Sequence, residues 1–387
     1  MKNANKAARH YYIGLISGTS MDGVDAVVVD FARPPGTILA SHCQPYPADL
    51  RRRLLDLCAA QRVSLAEFLA LDQAVGHCFA AAALQVLSRA GLPTGAVRAI
   101  GSHGQTVYHH PAPPCRSSLQ IGDPNVIAET TGIPTVADFR RRDLAAGGEG
   151  APLVPAYHAA VFTTDHPRAV LNLGGIANLT LLTPGAPVRA FDTGPGNVLM
   201  DAWAARHGRG PMDRDGAWAA TGSVHPQLLE RLLEEPYFQR PPPKSTGREH
   251  FHLRWLDARL DALSPQPDPA DVQATLCELS AASIAAALKH TAPEVKELLV
   301  CGGGVHNARL MARLAAHLPD LSIQSTARTG LDPDWVEAAA FAWLARQTLA
   351  GRTGNLPSVT GARDAVILGG VYAGRTAARA RDETAED

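Results

Sequence analysis

Cysteine is scarce in this chain of 387 residues, and the six present (Cys43, Cys58, Cys78, Cys115, Cys277 and Cys301) form no C-x-x-C pair. That excludes a disulfide framework and a thiolate zinc cluster, and leaves reduced, mostly buried thiols in a cytoplasmic protein as the expectation. An excess of either charge is missing too: 36 basic residues face 37 acidic ones. No nucleic-acid or acidic membrane partner is expected from that balance. No uninterrupted apolar run reaches transmembrane length, and the polar opening MKNANKAARHYY lacks the apolar stretch of a signal peptide. Histidine offers no metal set either. His103, His109 and His110 match no common zinc spacing, and adjacent histidines on a strand point to opposite faces.

What remains is a chain long enough for two domains, with a 46% hydrophobic content suited to large cores. Its densest stretch is Val170–Trp203. Val170–Leu173 reads as a strand, Gly174-Gly175 as a tight turn and Asn178–Leu182 as a second strand. Val188–Phe191 makes a third, with Asp192 where it ends. Gly194-Pro195-Gly196 then leads into a helix from about Asn197. A carboxylate there, ahead of a helix N-terminus and two glycine turns, suits a general base beside a bound anion. The plainer alternative is a β-meander whose aspartate caps a helix.

Elsewhere Tyr11–Ile16 and Val24–Phe31 read as strands around Ser17-Gly18-Thr19-Ser20-Met21-Asp22-Gly23. The hydroxyls and amides of that loop suit phosphate oxygens, and Asp22 and Asp25 suit Mg²⁺; an ordinary hairpin is the other reading. Ser64 and Glu67 form a capping box opening a helix to about Ala90, ended by Gly91 and Pro93. A short strand, Val97–Ile100, delivers Gly101-Ser102-His103-Gly104-Gln105-Thr106, placing His103 after a strand end. Arg140–Arg142 reads as a solvated face, or one of the three orients an anionic group. Gly147–Gly150 reads as a hinge. Lys244-Ser245-Thr246-Gly247 lacks the strand and leading glycine of a P-loop, which leaves a polar loop closing on the cleft. Strand Glu297–Val300 runs into Gly302-Gly303-Gly304, which gives backbone room for a nucleotide. Asp334 and Glu337 form an acidic capping box, so Glu337 is either a cap or a substrate contact. Ala365–Tyr372 reads as a last strand.

Ile16–Asp25, Gly101–Thr106, Ala137–Asp143, Phe191–Asn197 and Cys301–Gly304, in this order, resemble the bacterial anhydro-N-acetylmuramic acid kinases over about Tyr11 to Tyr372. The resemblance implies an α/β, two-domain actin-like ATPase (hexokinase/Hsp70/actin) fold with ribonuclease-H-like halves and a central ATP cleft. Residues 1–140, completed by 361–387, would form one domain and 141–360 the other. It implies a cytoplasmic homodimer that uses ATP and Mg²⁺ to phosphorylate 1,6-anhydro-N-acetylmuramic acid while water opens the anhydro ring, within murein recycling. Asp192 matches the catalytic base. The nucleotide set is Gly18, Thr19, Ser20, Met21, Asp22, Gly23, Val24, Asp25, Gly174, Gly175, Asn178, Gly194, Gly302, Gly303 and Gly304, with Asp22 on the metal. The sugar set is His103, Gln105, Thr106, Arg140 and Glu337. Rival readings are another sugar or polyol kinase of the same fold, a non-catalytic ATP-driven assembly protein, and a carbamoyl transferase whose paired-histidine metal site the chain lacks.

Overall fold

The computed structural model describes residues 10–18, 20–60, 62–111 and 114–375. The strands are β1 (Tyr11–Ser17), β2 (Gly23–Asp30), β3 (Thr37–Pro45), β4 (Val97–His110), β5 (Ser117–Ile121), β6 (Thr135–Ala137), β7 (Arg168–Leu173), β8 (Ile176–Leu182), β9 (Arg189–Pro195), β10 (Glu297–Cys301), β11 (Ser322–Ser325) and β12 (Gly370–Tyr372). The chain divides into two units. The first runs through Val161 and resumes at Trp335; the second is Phe162–Asp334. The sequence boundaries at 140/141 and 360/361 therefore differ from these by two helices each: Phe139–Ala145 and Val154–Phe162 at the first, Val336–Leu349 and Pro357–Thr360 at the second.

The two units share one strand topology. In the first, the sheet order is β12-β6-β4-β1-β2-β3, with β5 paired to β4. β1, β2 and β3 form an antiparallel meander, and β4 and β6 extend it in parallel from β1. In the second, β7, β8 and β9 repeat the meander, and β10 and β11 extend it in parallel from β7. This repeated order, three antiparallel strands and then two parallel ones beyond the first, is the ribonuclease-H-like half of the expected fold.

Helix Leu65–Ala90 lays Leu71, Val75, Phe79, Ala82, Val86 and Leu87 into the core of the first unit, at the spacing of one helical face. Its start and stop obey local chemistry. Ser64 accepts the Glu67 N–H, and Gly91 closes the far end in the left-handed region at φ 63°. Length and composition alone would let this helix cross a membrane; here its apolar face lies in the sheet's core.

Several expectations are corrected. β4 does not stop at Ile100 but continues to His110, so His103, Gln105 and Thr106 are strand residues. Gly101 reads as punctuation in the sequence, yet it pairs in register with Gly14 of β1. A Cβ on Gly14 would overlap the Ala338 carbonyl, and one on Gly101 the Phe341 carbonyl. The two glycines thus make a flat place where helix Val336–Leu349 lies directly on the sheet. Gly147–Gly150 is no boundary hinge. It lies inside the first unit, folded around the fully buried Asp143 carboxylate, which accepts from Gly150 N (2.8 Å), Asn355 Nδ2 (2.7 Å) and Thr360 Oγ1 (2.8 Å). A Cβ on Gly148 would collide with that carboxylate. Of Ala365–Tyr372, only Gly370–Tyr372 is strand.

Candidate active site

In the second unit, candidate residues stand at the ends of two neighbouring parallel strands. β7 ends at Leu173 and β10 at Cys301, with Asn172 and Cys301 in register. The turn Gly174-Gly175 follows one strand and Gly302-Gly303-Gly304 the other. Gly302 takes φ +82°, and a Cβ on Gly304 would press on Leu173 Cβ at 2.7 Å. Close packing therefore explains those two glycines. A Cβ on Gly303 would meet nothing within 4 Å, so the backbone there faces open space, as a nucleotide-binding turn requires. The helix N-terminus is less available than the sequence suggests. Gly196 N, Asn197 N and Val198 N donate to the Gly175, Gly174 and Gly175 carbonyls at 2.8, 2.9 and 3.0 Å, so helix Val198–Arg206 is stitched to the turn.

Asp192 lies within β9, not at its end, opposite Asn178 of β8. The next ladder pair is Gly194 with Ala177, which leaves Thr193 as an extra residue whose hydroxyl donates to Ala177 O at 3.1 Å. Such a bulge re-aims neighbouring side chains. Asn178 thus belongs beside the aspartate rather than with the glycine turns. Gly194 is explained by packing: a Cβ there would stand 2.6 Å from the Phe238 ring.

The segment Tyr237–Thr246 straps Asp192 in place. The Tyr237 hydroxyl donates to Asp192 O (2.8 Å), Asp192 N donates to Lys244 O (3.1 Å), and Thr246 N donates to Asp192 Oδ2 (3.0 Å). Lys244 Nζ caps the Tyr237 and Phe238 carbonyls at 3.2 and 3.3 Å. Burial raises the Tyr237 phenol's pKa, and the Asp192 charge adds to that; burial lowers that of Lys244, with Arg240 helping and Asp192 opposing. The half-buried Asp192 is accordingly held by its N–H, its carbonyl and one carboxylate oxygen, on a strand rather than a mobile loop. Lys244 and Thr246 belong to the polar loop expected at Lys244–Gly247; its partner Asp192, 54 residues away, was not readable from the sequence.

In the first unit the loop between β1 and β2 is tied to β4. Ser17 Oγ lies 2.7 Å from Gly23 O and 2.6 Å from Gln105 Oε1, and Gln105 Nε2 donates to Gly18 O at 3.3 Å. Gln105 is thereby a loop anchor. Gly18 is open, with only Ser20 Oγ as near as 3.9 Å to a built Cβ. Thr19 lies outside the described residues. Val24 is wholly buried and Met21 nearly so, at φ 54°, so their side chains belong to the core and only their backbone is available. Gly23 is crowded by the Gln44 carbonyl. Asp25 pairs across to Cys43 of β3 and helps push that thiol up to about 11, after burial. Asp22 is exposed and ion-paired to Arg51 at 3.1 Å, and Arg51 also donates to Met21 O and Ser20 O at 3.1 and 3.3 Å. Among the described residues no three His, Cys, Asp or Glu cluster as a cage for a metal ion.

His103 and Arg140 form a buried pair. Arg140 Nε donates to His103 Nε2 at 3.0 Å, and His103 Nδ1 faces Gly104 O at 2.9 Å. This network requires a neutral imidazole with its proton on Nδ1. Burial drives the His103 pKa well down, and Arg140 drives it further. Arg140 also donates to Gly150 O at 2.8 Å, and burial lowers it to about 10 while Glu337 and Asp143 raise it. Asp334 is not the cap of helix Val336–Leu349: Trp335 stands at the N-cap with no side-chain cap bond, and Asp334 instead faces His306 Nε2 at 2.9 Å. Thr106 Oγ1 accepts from Gln120 Nε2 at 3.1 Å. His103, Arg140 and Glu337 thus come together electrostatically, whereas Gln105 and Thr106 serve their own sheet.

Residues 10–374 match the family model for anhydro-N-acetylmuramic acid kinase. The chain belongs to the anhydro-N-acetylmuramic acid kinase family. The kinase of that name from Chromohalobacter salexigens is 53% identical over 371 residues, covering 94% of this chain and 99% of the relative. Its counterpart from Xylella fastidiosa is 50% identical, covering 93% and 96%. Among solved structures, component A of the Acidaminococcus fermentans (R)-2-hydroxyglutaryl-CoA dehydratase is similar at a TM-score of 0.43 and 11% identity, over 86% of this chain and 97% of that one. That likeness is too distant to bear on the chemistry.

Proposed function

We propose that this family member transfers the terminal phosphoryl of ATP to O6 of 1,6-anhydro-N-acetylmuramic acid while water opens the anhydro bridge, giving N-acetylmuramic acid 6-phosphate and ADP. The observation that carries the reading is Asp192, a strand carboxylate clamped on Oδ2 by the Thr246 N–H and paired across the ladder with Asn178. The bridged sugar has no free 6-hydroxyl. O6 becomes a nucleophile only as its bond to C1 breaks, so one base must serve a water at C1. Asp192 takes that water's proton as oxygen adds to C1. The C1–O6 electron pair passes to O6, which takes the phosphoryl as its bond to ADP breaks, and Asp192 later returns the proton to solvent. General-base help of this kind is worth roughly 10²–10⁴-fold in rate.

The open backbone at Gly18, Gly174, Gly175 and Gly303 suits the nucleotide's phosphates, and Asp22 is the residue that would hold Mg²⁺, directly or through water. The ion, when bound, neutralises charge on the phosphates and orients them. Arg140, with Nε and Nη1 fixed by His103 and Gly150, is assigned to the sugar's lactyl carboxylate, with Glu337 at a sugar hydroxyl. Cytoplasmic location and a homodimer complete the reading, within cell-wall murein recycling.

The test is to supply ATP, Mg²⁺ and the anhydro sugar in ¹⁸O-water. The reading expects a sugar 6-phosphate carrying ¹⁸O at C1. Phosphorylation of glucose or glycerol, with the anhydro sugar untouched, would favour an ordinary sugar or polyol kinase instead.

A further inference from the structure

The strap that holds Asp192 does not end at Thr246. Two residues on, the exposed Arg248 guanidinium lies over the Gly174-Gly175 turn: a Cβ built on Gly175 would stand 3.7 Å from Arg248 Nη2 and 3.9 Å from Nε. The residue's backbone is fixed on both sides. Upstream, Thr246 N is bonded to Asp192 and Thr246 Oγ1 faces His250 Nδ1 at 3.3 Å. Downstream, the Gly247 carbonyl accepts from His250 N and Phe251 N at 3.2 and 3.1 Å, and Phe251 is wholly buried in the unit's core. Among the described residues no carboxylate pairs with Arg248. A guanidinium with no carboxylate partner, on a backbone held from both sides, therefore stands over a turn with no side chains of its own. The Gly174 and Gly175 carbonyls are turned to helix N–H groups, so they do not claim the charge.

We infer that Arg248 is a phosphate-contacting catalytic residue that binds the terminal phosphoryl of the nucleotide and stabilises its charge during transfer. The inference rests on the kinase reading above and adds a residue to it. A guanidinium is suited to this because its planar fork meets two phosphate oxygens at once. The strap places the terminal phosphoryl, rather than the inner ones, as its partner: the same short segment orients Asp192, so base and cation are fixed relative to each other at the reacting end. No bond beyond those of the proposed reaction forms or breaks; Arg248 stays protonated throughout.

Two measurements test it, one independent of turnover. Calorimetric titration of full-length wild type, Arg248→Ala and Arg248→Lys with ADP and with a non-hydrolysable ATP analogue should show the analogue weakened about tenfold to a hundredfold in Arg248→Ala, and ADP within about twofold. Turnover of the anhydro sugar should fall roughly 10²–10³-fold, with partial recovery on adding guanidinium ion and little recovery in Arg248→Lys. Equal weakening of both nucleotides, or of neither, overturns the assignment, as does turnover near the wild-type value. Should wild type bind the analogue but leave the anhydro sugar untouched, the kinase reading fails, and the titrations still decide Arg248.

Discussion

Acid should loosen the first unit as pH falls below about 6.5. His158, in helix Val154–Phe162, is 1% exposed, and burial pushes its pKa from 6.5 to about 3. His103 moves the same way, from burial and then from Arg140. A histidine kept neutral in the fold but free to protonate when unfolded binds fewer protons in the native state. Stability is then complete above about pH 6.5 and is lost as pH falls. Each such group costs about 1.4 kcal/mol per pH unit below that point. Between pH 6.5 and about 5, His158 alone costs about 2 kcal/mol, and His103 adds in the same direction. In the second unit, carboxylates with depressed values, such as Glu278 and Glu297, begin to count only below their ordinary 4.5. The exposed His166 in the second unit is raised by Asp165 and then Glu297. It works oppositely there, helping below its unfolded value and losing that help as pH rises. The assay is urea unfolding at about pH 7, 6 and 5 for wild type and His158→Gln, read by amide exchange in the first unit. Wild type should lose about 2 kcal/mol more than the variant between pH 7 and 5. Superimposable pH profiles would refute the reasoning.

Tyr237→Phe removes the donor to Asp192 O while keeping the buried ring, so it should cost about 1–2 kcal/mol of stability and lower kcat more than it raises the KM for ATP. An unchanged kcat would show that the strap does not position the base. Gly101→Ala should lower stability by about 1–3 kcal/mol, because the new methyl meets the Phe341 carbonyl; full stability in thermal unfolding would contradict the close seating of that helix.

Local chemistry made part of this structure readable. The Ser64 cap and the Gly91 stop are each decided within a few residues, and each agrees with its expectation. Some glycines have their reason far along the chain, where no local reading reaches it. Gly14 and Gly101 are small for a helix beginning at Val336, and Gly148 makes room for a carboxylate whose other partners are Asn355 and Thr360. The same limit applies at the site. Asp192 could be singled out by its neighbours in sequence, but the residues that hold it come from 237–246, and no periodicity or motif connects those two stretches. His103 and Arg140 were separate candidates until the fold joined them through one hydrogen bond.

The most direct measurement of the account is single-turnover kinetics of Asp192→Asn with ATP and the anhydro sugar in ¹⁸O-water. Nucleotide affinity should stay near the wild-type value, while turnover falls roughly 10²–10⁴-fold or more and ¹⁸O arrival at C1 falls with it. Turnover close to wild type, with ¹⁸O entering C1 as before, would mean that another group activates the water.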